Sequence, residues 1–534
     1  MIGLSSSQIE RYNDLTHKLL AYFISIETFL IPLKSKKVMK QKNSMVLFLC
    51  LLLSPYTVAW GEVLYSSQNN SIFVPFLNYQ GQNYSAEFSL AGSDQLQLTS
   101  AIARNDSPSY ASTINVDGNL NFNLQRVNFD GQLYSATITH QQDQLFKITN
   151  LSLQSENIAG RGNLTKSTLV NEVTQSQFNL LVSFYNLQNN ASINLQAQND
   201  IAVYSVTYQT IDPAGTLVEA SALVALPVGE EKSFPLIAYQ HGTEVLRNGA
   251  PSMDPNDLPS LGLAASGYVV VSSDYLGLGE STLLHPYVHA HSLATTVIDA
   301  LRATKTLSNE KNISLNGQLF LIGYSEGGYA TMAVHREIQR NYGEEFTVTA
   351  SAPMAGPYDM SGSMLERFFD DTTHPNPYYF PYTILAYKQV YDFKDSLSEI
   401  FHSPYDQSIS NLFDGTKSGS EINDAIPENR QLFTQNLYDQ LQSQQNPWLK
   451  VSLYENDVYR WTPNNPTYLF HCTQDEQVPY QNTQVAYNYF QNIGASQVQL
   501  FAIDDESLNQ SDVHSGCAIP LLLKGKELFD VLVN

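Results

Sequence analysis

Six short stretches of the chain, FPLIAYQ, GYVVVSSD, QLFLIGYS, FTVTASAPM, TYLFHCT and VQLFAID, are apolar at consecutive positions rather than alternate ones. A strand with apolar side chains on both faces must be covered on both, as in the interior of a parallel sheet. Between these runs lie segments of helical period, such as SLATTVIDALRATKTL and EGGYATMAVHREIQR, so strand and helix alternate. Upstream, IAVYSVTYQTID and TLVEASALVALP flank Pro-Ala-Gly and predict a β-hairpin. Residues 196–534 therefore predict an α/β domain whose largely parallel sheet is opened by an antiparallel hairpin.

Residues 62–195 carry a different pattern: short alternating apolar stretches in a background of Asn, Gln and Ser, with few helix signals. LNYQGQNYSAEFSL from Leu77 and VNFDGQLYSATITH from Val127 share Asn, an aromatic, Gly, Gln, Tyr, Ser and Ala in register, about 50 residues apart. Asp130-Gly131 between alternating residues is a hairpin signal. This predicts an all-β accessory domain built on two copies of one unit. Nucleophiles, acids and bases do not cluster there. A third pattern interrupts the α/β alternation: about 100 residues rich in Tyr and Phe separate ASAPMAGPYD from TYLFHC. That is too long for a loop and predicts an inserted subdomain, about 357–460, at the carboxyl ends of the strands, where open α/β sheets bind ligands.

The first 61 residues read as targeting sequence. Lys34, Lys36, Lys37, Lys40 and Lys42 precede MVLFLCLLLSPYTVAW, an apolar run of about 15 residues that ends at small residues. This is the order of a secretory signal, and it is short of the roughly 20 residues that span a membrane. Cleavage is expected near Ala59 to Gly61, and residues 1–38 suggest that translation begins at Met39 or Met45. The formal charge of −23 becomes more negative without this segment, which leaves 21 basic against 48 acidic residues. Such a charge argues against nucleic acid as a partner. The exported chain, extracellular, periplasmic or at the cell surface, keeps only Cys472 and Cys517. Two cysteines in an oxidising compartment predict one disulfide.

Candidate chemistry centres on Gly323-Tyr324-Ser325-Glu326-Gly327, between a strand-like and a helix-like segment. A serine at so sharp a turn needs glycines two before and two after, because the strand and helix backbones crowd the bend. Serine is a weak nucleophile and needs a base held by a third group. His514, after the last strand, is the only histidine beyond His471. Asp475, just past TYLFHC, is the candidate acid, with Glu476, Asp504 and Asp505 as rivals. A Cys472–Cys517 bond would draw the acid and base loops together, since the Cα atoms it joins lie within about 7 Å. The oxyanion of an acyl-transfer intermediate needs backbone donors, for which the N–H groups of Glu326 and of Thr243, in YQHGTEV, are candidates. His241 fits a packed role equally well. His285, His289 and His291 lack acidic co-ligands, so neither a metal nor a cofactor is expected.

YQHGT, GYVVVSSDYLGLGES, HPY and GYSEGG, in that order and followed by an Asp and a His, resemble the secreted lipases and esterases of the α/β-hydrolase fold, over roughly residues 200–534. The resemblance implies a carboxylic ester hydrolase with a helical cap between its sixth and seventh strands. It implies Ser325 as nucleophile, Asp475 and His514 as its partners, and Thr243 and Glu326 as oxyanion donors. Asp274, Gly277, Gly279 and His285-Pro286-Tyr287 match positions of structural character. Two departures stand out: Glu326 occupies a position where Gln is expected, and a carboxylate there opposes the developing charge unless it points away. The repeat region has no counterpart. The expected activity is hydrolysis of acyl lipids or other apolar esters, with transient lipid-surface contact through the cap; the residues give no oligomeric state. Two other readings stay open, a serine peptidase using the same residues and a surface-adhesion protein in which the β-repeat domain is the working part.

Overall fold

The computed structural model describes residues 63–533 except 67–68, 92–93, 107–112, 130–131, 155–157, 190–192, 230–232, 371, 394, 444–446 and 505–511. The targeting segment, the Asp130-Gly131 turn and Asp505 lie outside the described residues. The chain forms two compact units, Met1–Val127 with Leu133–Gln154, and Asn128–Gln132 with Ser155–Asn534.

The first unit is all β. Its strands are β1 (Val63–Ser66), β2 (Ser71–Tyr79), β3 (Gln82–Leu90), β4 (Gln95–Arg104), β5 (Ile114–Asn115), β6 (Phe122–Phe129), β7 (Gln132–Gln142) and β8 (Leu145–Leu153). They follow the order β1-β6-β7-β8-β4-β3-β2-β5, and β1 also pairs with β2, so the sheet closes on itself. Closure removes the exposed edges that such polar strands would otherwise present. The two similar segments fall on the neighbouring pairs β2–β3 and β6–β7. In the first, Tyr79 faces Gln82 across the ladder. Gln80 and Gly81 between them take φ of 52° and 87°, the two positive values a tight hairpin twist demands. The interior is filled by Phe88, Phe122 and Phe146, with ring centroids 5.4 to 5.9 Å apart.

The second unit holds β9 (Leu164–Val173), β10 (Asp200–Ile211), β11 (Leu217–Val228), β12 (Ser233–Gln240), β13 (Val269–Ser273), β14 (Ser314–Tyr324), β15 (Val348–Met354), β16 (Thr467–Cys472) and β17 (Val498–Ile503). Their order is β17-β16-β15-β14-β12-β13-β11-β10-β9. Strands β12 to β17 run parallel, and β9, β10 and β11 are antiparallel additions. The buried runs of β12 to β16 are those that read as apolar on both faces. Helices Leu258–Ala265, Ala290–Glu310, Glu326–Asn341 and Val513–Asp530 accompany the sheet, and Phe320, Ile322, Ala350, Met354, Leu521 and Phe529 share its core.

The division drawn at residue 195 falls later in the sequence than the end of the first unit. Strand β9 is the edge of the second sheet, paired with β10 from Ile201–Val173 to Tyr208–Leu164. The reason lies in burial: β9 is mostly exposed, so its polar alternation resembles the strands before it. A helix, Gln175–Asn189, follows; its Phe178 and Val182 enter the core, while Leu180, Phe184 and Leu187 remain exposed.

Chain order reverses direction across β13-β12-β14, since β12 is followed by β13 on one side and β14 on the other. The loops leaving the carboxyl ends of β12 and β14 therefore flank a crevice, the position at which open α/β sheets bind ligands. Gln240 and Gly323 are partners at those two ends. Between β15 and β16 lies a helical insertion that includes Leu365–Phe369, Tyr379–Tyr391, Gln435–Gln442 and Trp448–Glu455. Among the described residues no helix is long and apolar enough to cross a membrane.

Candidate active site

Ser325 sits in the crevice, at the bend from β14 into helix Glu326–Asn341, with φ 61° and ψ −125°. Positive φ is costly for a residue with a Cβ, and the surroundings hold it there: the Ser325 N–H donates to the Met354 carbonyl at 2.9 Å, and Tyr329 N–H to the Ser325 carbonyl at 3.1 Å. The flanking glycines are required by crowding. A Cβ on Gly323 would lie 2.4 Å from the Gly327 carbonyl oxygen, and one on Gly327 2.0 Å from that of Gln240.

Ser325 Oγ lies 2.8 Å from His514 Nε2, and His514 Nδ1 lies 2.6 Å from Asp475 Oδ2. All three side chains are buried. Asp475 Oδ1 accepts the N–H groups of Gln477 at 3.0 Å and Val478 at 2.8 Å. Its Oδ2 is also 3.3 Å from His471 Nε2. Burial opposes ionisation of Asp475, but the charge of His514 and the hydrogen bonds from His471 and His514 outweigh it, holding the carboxyl well below the usual carboxylate range. An ionised Asp475 obliges Nδ1 of His514 to carry a proton, which leaves Nε2 free to accept one from Ser325.

The ring beside Ser325 is anchored from several directions. His514 stands in the first turn of helix Val513–Asp530, its ring is 5.0 Å from that of Tyr324, and its carbonyl accepts the Tyr324 hydroxyl at 2.6 Å. Of the rival acids, Glu476 caps this helix, accepting the N–H of Val513 at 3.1 Å and of His514 at 3.4 Å. Asp504 accepts the Thr473 hydroxyl at 3.3 Å. Cys472 and Cys517 are disulfide-bonded with Cα atoms 6.6 Å apart, tying the end of β16, from which Asp475 follows, to the helix of His514.

Across the crevice, the loop after β12 passes beside Ser325: a Cβ on Gly242 would be 3.7 Å from that of the serine. Thr243 Oγ1 is 3.0 Å from the Tyr287 hydroxyl. The Glu326 N–H belongs to the first turn of its helix, where no intrahelical acceptor exists. Its side chain, however, turns to His285, with Oε1 2.8 Å from Nε2. His241 stacks on Tyr275 at 4.3 Å, and His289 Nδ1 is 2.8 Å from Ser292 Oγ. Asp274 accepts Ser221 Oγ–H at 2.5 Å and the Ser252 N–H at 2.8 Å, a load-carrying role within the loops around the crevice. His285 and Tyr287 do more than the structural part that the sequence suggested, since they border the site itself.

An apolar cavity opens onto Ser325 and Glu326. The insertion supplies most of its walls, among them Met360, Met364, Leu365, Phe368, Phe380, Ile384, Leu441, Leu449 and Leu453, and Tyr287, Val288 and Val478 also line it. Sequence reasoning had no access to these walls, because their meeting with Ser325 joins positions far apart in the chain; His471 lies only four positions before Asp475 and reads as part of the strand alone.

Residues 256–515 match the family model described as Secretory lipase. No curated protein matches the chain. A ligand-bound form of the rice cell wall degrading esterase LipA from Xanthomonas oryzae is 30% identical at a TM-score of 0.62, covering 70% of this chain and 100% of its own. A second structure of that esterase is 29% identical, with a TM-score of 0.63 over the same shares. The chain belongs to the secretory lipase family. Lipase A from Candida antarctica in its closed state, 18% identical at a TM-score of 0.51 over 70% of this chain and 83% of its own, shares the fold. The family makes the chain an ester hydrolase and its sheet that of an α/β-hydrolase. Position 326 carries Glu, and the structure turns that carboxylate onto His285.

Proposed function

We propose that this secretory lipase is an exported serine hydrolase that cleaves carboxylic esters with apolar acyl groups through an acyl-enzyme on Ser325. The observation that carries the reading is the unbroken line from Ser325 Oγ to His514 at 2.8 Å and on to Asp475 at 2.6 Å, set against an apolar cavity lined mostly by the insertion. His514 takes the Ser325 proton as Oγ attacks the ester carbonyl carbon. The N–H groups of Glu326 and Thr243 receive the oxyanion. His514 returns the proton to the departing alcohol; it then takes a proton from water as the water oxygen attacks the acyl carbon, and gives that proton to Ser325 Oγ as the bond from Oγ to the acyl carbon breaks and the acid leaves. The helical insertion acts as a cap whose apolar walls hold the acyl chain and exclude water.

The test is labelling of the exported protein with a fluorophosphonate, followed by peptide mapping. Label on Ser325, its loss in S325A, and turnover of apolar esters in preference to matched amides are expected. Label elsewhere, or ester turnover that survives S325A, overturns the reading; preference for amides makes the chain a peptidase. Unchanged biological function in S325A favours adhesion by the β-repeat domain.

A further inference from the structure

The acidic residue beside the nucleophile has its own proton balance. His285 Nδ1 lies 2.7 Å from the Leu276 carbonyl oxygen. A carbonyl only accepts, so that nitrogen carries a proton. His285 Nε2 is 2.8 Å from Glu326 Oε1, and a hydrogen bond between those atoms needs one proton more. Whether that proton rests on the imidazole or the carboxyl, the pair holds one and its net charge is zero.

Both side chains are sealed in, with relative exposures of 1% and 0%. Glu326 Oε2 has no hydrogen-bond partner among the described residues, so His285 is the partner that balances this carboxyl. Aromatic rings line His285: Tyr275 is stacked 5.8 Å away, and Tyr287 and Tyr382 are tilted at 6.1 and 5.8 Å.

We propose that Glu326 and His285 share one proton and act as a neutral positioning pair, fixing the first turn of the nucleophile helix while keeping the carboxylate's charge away from the oxyanion. The inference rests on the serine-hydrolase reading. It answers why an acid is tolerated there: a bare carboxylate next to a developing negative charge would raise the barrier in a medium of low dielectric, and a protonated pair does not.

The other titratable groups facing the pair are Tyr275, Tyr287 and Tyr382, pushed well above the ordinary phenol range by burial first and the Glu326 charge next. Burial likewise raises Tyr329 and Tyr379. His241 stacks behind Tyr275, and Glu244 acts on Tyr382.

The experiment compares wild type, H285F, H285Q and H285F/E326L in ester turnover and in the rate of fluorophosphonate labelling. H285F fills the aromatic slot and strands the carboxylate. H285Q keeps a donor but supplies no proton. H285F/E326L removes both polar groups. Expected for H285F is a fall in kcat of about 100-fold, with KM within about threefold. H285Q, which donates to the carboxylate but shares no proton with it, should fall in kcat likewise. H285F/E326L should regain at least about tenfold in kcat over H285F. A wild-type kcat in H285Q, or a double variant no better than H285F, overturns the proposal. Loss of Ser325 label in the wild type would instead sink the serine reading, so the two failures are told apart.

Discussion

Asp475 holds the His514 ring with one oxygen, 2.6 Å from Nδ1, while its other oxygen is fixed by two backbone N–H groups. The carboxylate can neither rotate away nor release the proton-bearing nitrogen, so the ring presents Nε2 to the serine as an acceptor. D475N keeps the shape and removes the charge. Its amide can turn an N–H toward Nδ1 and force the other tautomer. On the proposed mechanism kcat falls by about 10⁴ in D475N with KM little changed, and S325A falls to the level that oxyanion donors and binding sustain alone. Steady-state kinetics on one apolar ester checks both; a D475N rate within about tenfold of wild type would remove Asp475 from the reaction.

The Cys472–Cys517 bond closes a segment with a sequence separation of 45. In the chain-entropy account, closing a loop of that length removes about 4 kcal/mol of freedom from the unfolded chain. C472A/C517A should therefore unfold at a distinctly lower denaturant concentration and with a somewhat steeper slope, because the unfolded chain freed of its cross-link exposes more surface. Catalysis should suffer less than stability, because Tyr324, Asp475 and Glu476 also hold His514 in place. Denaturant titration alongside kinetics separates the two effects.

Much of this architecture is legible in the residues, and the legible part has one physical cause. The buried runs of β12 to β16 are covered on both faces, so those runs are apolar at consecutive positions. Strand β9 was hidden because an exposed edge strand leaves the same polar alternation as the strands of the first unit. The turn at Ser325 is legible because backbone crowding admits only glycine at 323 and 327. The choice between Asp475 and Glu476 is not settled by adjacent positions in a sequence. In the fold one is buried against His514, and the other caps the helix that carries it. The meeting of His285 with Glu326 spans 41 positions and leaves no local signature at all.

His374, in the insertion, supplies a pH prediction. Its Nδ1 accepts the Asn376 N–H at 2.9 Å, and its Nε2–H donates to the Gln477 carbonyl at 3.1 Å, so the ring is built in as neutral. Burial first, and the Arg367 charge second, push it from 6.5 down to about 4. The unfolded chain then takes up a proton below about 6.5 that the folded chain refuses until about 4. Stability should therefore fall as pH drops through that window, by up to about 3 kcal/mol from this ring. H374Q should flatten the fall. Thermal melts of both proteins across the window test it, and parallel curves would show that His374 contributes nothing.

The cavity wall makes the last prediction. With Met364, Phe368, Ile384 and Leu453 around it, each methylene added to an acyl chain leaves water for an apolar surface, a gain of about 0.8 kcal/mol. If that gain is realised in the transition state, kcat/KM rises about fourfold per methylene until the cavity is full. M364W occupies part of this space with an indole. The rise should then stop several carbons earlier than in the wild type, while short acyl esters, which never reach residue 364, keep their rates within about threefold. A panel of p-nitrophenyl esters of increasing chain length measures both curves. Equal loss at every length would place Met364 in general packing, and an unaltered break point would put the acyl chain outside this cavity.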